Sequence, residues 1–332
     1  MHALEGVTVV ETGSDLAVAF AGRLLRGLGA HVRSAVEPGA QVDQLLVEYL
    51  QAGKEPIAAN AVPGALGGAQ VWLEGSPGAG ASHDGALVHV VLTPWGSEGP
   101  WAGKPGSAFT GAALGGMLHL CGDEQGAPLK NGGLVLEFQA GLFMVLGAIA
   151  GLLRLEAGDG GSRIETSYLE SANGFQERGD IAWTHLHQDW RRTRRHEVGH
   201  PFTIFPCADG YVTIAVGTPR HWANLCVLMG KPEWGSDMEL LMNRLANADL
   251  IDSALVPWLK SLPASEVVRQ CQEMFIPCGP VLTASQVLHD AHLAERKFWR
   301  TFGAAGREWT VPGPPFRMEG AWDEAAWQGA AR

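Results

Sequence analysis

Hydrophobic and polar positions change period several times along the chain, and the changes lay out strands alternating with helices. Residues 6–11, GVTVVE, read as a strand. Over 15–28, DLAVAFAGRLLRGL, apolar side chains recur at helical spacing and Gly29 supplies a stop. Ala30 to Val36 reads as a second strand, closed by Pro38-Gly39. Strand, helix and strand at these lengths make a β-α-β unit, which implies a parallel sheet and a right-handed crossover. Leu87 to Thr93 is apolar without alternation, the pattern of a strand covered on both faces. The stretches 75–85 and 94–106 are rich in Gly and Pro and read as loops, with a small-residue helix near 108–120. Val135 to Glu156 predicts a long apolar helix that ends at Gly158. Its uninterrupted apolar run, Ala140 to Leu153, is shorter than the ~20 residues a membrane span needs, so a buried helix is expected. Arg163 to Ser167 reads as a strand and 168–188 as another helix.

The pattern then changes. The basic run Arg191, Arg192, Arg194 and Arg195 reads either as a solvated linker or as a contact for phosphates. Residues 206–216 alternate strictly around an Asp209-Gly210 turn signal, which predicts a hairpin. Helices near 219–229, 236–247, 252–261 and 264–274 complete a smaller α+β domain. A last helix near 284–298 leads into a Pro-rich tail, Val311 to Pro315. The predicted organisation is a large α/β domain over 1–188, a linker over 189–200, a small domain over 201–283 and a return to the large domain over 284–332.

Composition narrows the function classes. The chain has 332 residues, 46% of them hydrophobic, enough for a sizeable core. A net charge of −11 argues against nucleic acid or an anionic membrane as the main partner, since both demand a basic surface. Five cysteines, an odd count without CxxC spacing, argue against a disulfide framework or structural zinc and fit a reducing compartment. The first residues carry no basic segment followed by an apolar one, so no secretory signal is expected and the expected location is cytoplasmic.

Common motifs are missing. Thr12-Gly13-Ser14-Asp15 follows the first strand where a dinucleotide site has GxGxxG. There is no Walker loop, no GxSxG and no HExxH. His185 and His187 stand at i, i+2, which do not face each other on a helix, and no metal site is expected. Glu137 stands out, because it opens the most apolar stretch of the chain. A carboxylate there is costly unless paired, capping or functional. One reading is an acid that complements a helix dipole, worth about 0.3–1 kcal/mol. The other is a nucleophile. Glutamate is already ionised at pH 7 and needs no general base to attack a thioester, where it splits one hard step into easier ones.

Several segments, in order, resemble the class III CoA-transferases, the family of formyl-CoA transferase, carnitine CoA-transferase and α-methylacyl-CoA racemase. Leu4 to Glu11 is similar to the family's opening strand, and Arg23-Leu24-Leu25, Leu28 to Val32 and Glu37-Pro38-Gly39 to its first crossover. Gly96 to Gly106 is close to its Gly-x-x-Gly-Pro-x-x-x-x-Pro-Gly loop, and Gly158 to Ser167 resembles the element that follows its long helix. Asp209-Gly210, Trp222 and Gly279-Pro280-Val281 with Asp290 resemble its small domain. The resemblance implies a doubly wound, Rossmann-like large domain, an inserted smaller α+β domain and two interlocked protomers. It implies acyl-CoA and a carboxylic acid as substrates, with no permanently bound cofactor. By position it puts Ser14, Leu16 and Ala17 near CoA, Lys54 and Lys104 near phosphate, and Ser107 beside them. The family nucleophile is Asp in a pattern like Asp-x-x-Ala-Gly, and here the pattern is Glu137-Phe138-Gln139-Ala140-Gly141. Ser107 stands where the racemases carry a His, which disfavours racemisation. Three functions remain: CoA transfer through Glu137, a non-catalytic acyl-CoA-binding or partner subunit in a homodimer or heterodimer, and, least favoured, an acyl-CoA racemase or isomerase.

Overall fold

The structure, a computed structural model, describes residues 2–37, 39, 42–75, 87–175, 177–192, 199–304, 307–319 and 322. The chain forms two compact units. One comprises residues 1–121, 128–190 and 291–332, and the other residues 122–127 and 191–290.

The first unit is built on β1 (Thr8–Gly13), α1 (Leu16–Gly27), β2 (His31–Val36), α2 (Gln44–Gln51), β3 (Glu55–Pro56), α3 (Val62–Leu66), β4 (Val71–Gly75) and β5 (Val88–Thr93). It continues with α4 (Ala108–Leu114), α5 (Val135–Glu156), β6 (Ser162–Ser167), α6 (Tyr168–Asn173) and α7 (Glu177–Leu186). Its sheet runs β3-β2-β1-β4-β5-β6, with every neighbouring pair parallel. That is the strand order of the doubly wound fold, and it reverses direction between β1 and β4. Strands β4 and β5 are buried along their whole length, as mostly apolar strands covered on both faces are, and their polar Glu74 and His89 bond each other at 2.9 Å.

One face of the sheet carries the main core. Val9, Val32, Val71, Leu73, Val88, Val90 and Leu92 point to the same side and pack under α1 and α5. Helix α5 spans 22 residues and is apolar enough in composition to cross a membrane, yet its Leu136, Ala140, Met144, Val145 and Ala148 stripe lies in this core. Small residues let it approach closely. A Cβ at Gly141 would meet the Ala17 carbonyl oxygen at 2.7 Å, and one at Gly151 would meet Val88 at 2.4 Å. The other face holds a smaller cluster of Val10, Ala65, Trp72 and Leu87.

The second unit contains β7 (Phe202–Pro206), β8 (Tyr211–Ala215), α8 (Pro219–Leu228), α9 (Leu241–Ala246), α10 (Ala248–Lys260), α11 (Ala264–Glu273) and β9 (Cys278–Pro280). Strands β7, β8 and β9 form an antiparallel sheet over a core that includes Ile214, Trp222, Ile251, Leu255 and Val267. Buried Arg244 is satisfied by the main chain, donating to carbonyls of His200, Val216, Met238 and Glu239. The chain then passes through α12 (Ala284–Leu288) and α13 (Ala291–Glu295) into the hairpin of β10 (Trp299–Ala304) and β11 (Arg307–Pro312), which belongs to the first unit.

Three expectations change. The single helix over 168–188 is two, because the chain leaves helical form at Asn173-Gly174, both poor helix formers. The helix over 284–298 is also two short ones, and the residues after it pair as β10 and β11 rather than trailing as a tail. Residues 122–127, read as part of the large domain, join the second unit, where Arg192 donates to the carbonyls of Asp123 and Gly126, each at 3.2 Å. Arg192 is thereby committed to backbone, and Arg194 and Arg195 lie outside the described residues, as does the Gly-rich loop after Gly75.

Candidate functional site

The carboxyl ends of the parallel strands, at the point where strand order reverses, are where such sheets bind ligands. Here β1 and β4 end side by side. Gly13 has φ +107° and leaves only 2.4 Å between a would-be Cβ and the Gly75 carbonyl oxygen, so a side chain is excluded there. Directly after it the chain turns into α1. Ser14 is exposed, Asp15 caps the helix by accepting from the Ala17 N–H at 3.1 Å, and Ala17 is fully buried.

The start of α5 comes to the same place. Phe20 of α1 and Phe138 of α5 stack with centroids 4.1 Å apart, and the Gly141–Ala17 approach lies one turn further on. Glu137 sits in the first turn of α5, partly buried, and shares a narrow pocket with Ala108, Phe109, Met117, Leu118 and Lys130. A carboxylate in that turn complements the free N–H groups of the helix start, so the dipole reading of Glu137 holds locally and leaves room for chemistry. Gln139 faces away and donates to the Ser171 carbonyl, which ties α5 to α6.

A third element closes the group. Tyr168, the first residue of α6 at the end of β6, is buried and donates its hydroxyl to Asp15 Oδ1. Removal from water raises the Asp15 pKa, partly offset by its Tyr168 and Ala17 hydrogen bonds. Burial together with the negative charges of Asp15 and Glu137 keeps the Tyr168 phenol protonated, its pKa pushed far up. Asp15 and Tyr168 are thereby joined across the ends of β1 and β6.

The sequence-predicted residues divide. Leu16 and Ala17 reach this place through the α1–α5 contact, with Ser14 at its edge. Ser107 caps α4, whose Ala108 and Phe109 line the Glu137 pocket, and Ser107 Oγ accepts from the Thr110 N–H at 3.3 Å. Lys104 is exposed, with its Nζ 4.9 Å from the Trp101 ring centroid. Lys54 is a correction. Its side chain is 1% exposed, with Nζ 2.7 Å from Glu11 Oε1 and 2.8 Å from the Ala19 carbonyl oxygen. An ammonium held inside the core in this way is not offered to a phosphate. Asp15, Tyr168 and Lys130 were not singled out from sequence. Asp15 carries only a helix-cap signal there, and the other two carry none.

A model of CoA-transferase family III matches residues 81–329. The succinyl-CoA:glutarate CoA-transferase of mouse is 26% identical over 96% of this chain and 81% of its own length. The succinyl-CoA:mesaconate CoA-transferase of Haloarcula hispanica is 25% identical over 65% of this chain, and the match spans only 55% of that relative. Among solved structures, a CAIB/BAIF family protein from Brucella suis superposes with a TM-score of 0.85 over 99% of this chain and 96% of its own, at 21% identity, which speaks to the fold. With most of its length matched by that model, this chain belongs to CoA-transferase family III.

Proposed function

We propose that the protein transfers CoA between an acyl-CoA and a carboxylic acid, with Glu137 as the covalent nucleophile. The carrying observation is a partly exposed carboxylate at the head of a half-buried apolar helix, lining a pocket with the start of α4. The Glu137 carboxylate attacks the thioester carbonyl carbon, and the carbon–sulfur bond breaks to give a mixed anhydride and CoA thiolate. The thiolate attacks the glutamyl carbonyl of the anhydride, which releases the first acid and leaves glutamyl-CoA. The incoming carboxylate repeats the exchange in reverse and leaves with CoA. No proton is consumed, so the site needs charge stabilisation rather than a general base. Ser14, Leu16 and Ala17 line the CoA approach in this reading, with Ser107 and Lys104 further out on the α4 side. Coenzyme A acts as substrate and no resident cofactor takes part.

Relatives support the chemistry by name: succinyl-CoA:glutarate and succinyl-CoA:mesaconate transferases are among them. A second chain is part of the reading. Leu142, Leu146 and Leu153 on the outer face of α5 are 46–62% exposed, an apolar stripe that favours burial against another protomer, as in an interlocked dimer. One relative is named as a beta subunit, which favours a hetero-oligomer as the alternative partner arrangement. The five free thiols fit action in a reducing cytoplasm.

The test is direct. Incubation with an acyl-CoA and neutral hydroxylamine converts Glu137 to a hydroxamate detectable by peptide mass spectrometry, and Glu137→Gln abolishes turnover while acyl-CoA still binds. Full activity in Glu137→Gln removes the nucleophile from this residue.

A further inference from the structure

We propose that the chain carries a second binding site, remote from Glu137, for a fatty acid: a hydrocarbon tail with a carboxylate head. Two adjoining cavities build it. The first, of about 640 Å³, lies where α13 runs into β10 and where the chain leaves β11. Arg296, Lys297, Arg300 and Arg317 line it, against one carboxylate, Glu319. So many cations around one cavity stand out in a chain of net charge −11. Among the described residues no carboxylate pairs with Arg296, Lys297 or Arg317. Arg300 donates to the carbonyls of Lys297 and Trp299, which steadies its guanidinium. The two walls are tied where the Gly313 N–H donates to the Phe298 carbonyl at 3.0 Å, an approach with no room for a Cβ at position 313.

The second cavity, of about 610 Å³, is mainly apolar. Phe316 and Met318 line both cavities, so the two adjoin. Leu4, Val7, Ile149, Leu152 and Leu155 form its inner wall, and each packs on the main core. Its polar residues do not attract an anionic head: Gln70 Oε1 is taken by the Thr8 N–H at 2.8 Å, and Glu156 is itself negative. The ligand is thereby oriented, with its tail among the leucines and its head among the guanidiniums, where charge-assisted hydrogen bonds form. A small anion leaves the apolar cavity unused, and a neutral hydrocarbon leaves the cations unused. Along α5, Glu137 and Leu152 are about 22 Å apart at 1.5 Å per residue, so an acid bound here does not react at Glu137. The site therefore stands whether or not Glu137 is the nucleophile.

Calorimetric titration of the full chain with decanoate, decanol and butyrate tests the site. Decanoate should bind saturably. Decanol, which lacks the charge, and butyrate, which lacks the tail, should each bind at least roughly tenfold more weakly. Arg296→Glu combined with Arg317→Glu should weaken decanoate by roughly tenfold and leave decanol unchanged. Met318→Asp should weaken both. All three positions are exposed, so the variants should keep the wild-type melting curve. If the paired variant does not fold, Arg296→Gln with Arg317→Gln serves in its place. Decanoate affinity should be the same in Glu137→Gln, which separates this site from the acid site proposed there. No saturable decanoate binding, equal affinity for decanol, or undiminished decanoate binding in the paired arginine variant overturns the proposal. Sedimentation with phosphatidylglycerol vesicles in place of decanoate binding would make this face a membrane contact, and overturns it as well.

Discussion

Glu11 and Asp15 stand four residues apart where β1 runs into α1, and both carboxylates are withdrawn from water. They are satisfied in opposite ways. Glu11 meets the Lys54 ammonium at 2.7 Å inside the core, and burial still raises the glutamate pKa and lowers that of the lysine. Asp15 meets a phenol and a backbone N–H, both neutral. The first arrangement closes a charge pair against further ligands. The second leaves an acid at the end of β1 held by hydrogen bonds from neutral donors.

The largest expected effect comes from breaking the closed pair. Lys54→Met leaves Glu11 buried alone and should cost about 3–5 kcal/mol in urea unfolding. Glu11→Leu combined with Lys54→Met should recover much of that loss. Additive losses in the double variant would mean that the two charges do not compensate each other.

A smaller effect sharpens the other half of the comparison. Because the Asp15 pKa is raised in the folded protein, the native state holds that proton more tightly than the unfolded chain. Its contribution is therefore full below the ordinary aspartate range and is lost as the pH rises through the raised value. Asp15→Asn should match wild type in unfolding experiments at low pH and become relatively more stable as the pH rises. A gap that narrows with rising pH contradicts the assignment.

The smallest effect is expected at the surface. Arg269 on α11 pairs with Glu266 and Glu273, and hydrogen bonds from Arg269 and Gln270 hold the Glu266 carboxyl down to about 2. All three side chains are at least 31% exposed, so solvent screens them. Arg269→Ala should leave Tm unchanged within error, and a clear drop would show that proximity alone sets the worth of an ion pair here.

Local pattern made much of the frame legible. The helix predicted from Val135 to Glu156 is α5 with the same ends, and the first β-α-β unit lies within two residues of its expected bounds. Strand β4 leaves little trace in the sequence, because Val71 to Gly75 is short and carries Glu74 among its apolar residues. The site was legible only where one residue breaks its own surroundings, as Glu137 does. Asp15 acquires its meaning from Tyr168, which is 153 positions away, and Lys54 loses its expected role to Glu11, which is 43 positions away. Such pairings are decided by sheet order, and no local period reports them. A lysine before a loop looks the same in sequence whether it faces solvent or a buried acid.

Gly22, in the middle of α1, has a consequence for change in this molecule. A Cβ there would stand 1.7 Å from a carboxylate oxygen of Glu11 and 3.1 Å from Lys54 Nζ. Position 22 therefore cannot gain even a methyl group while the acid keeps its present posture. Strand, helix and the segment before β3 are bound into one three-way constraint at positions 11, 22 and 54, and viable replacements there must arrive as a set.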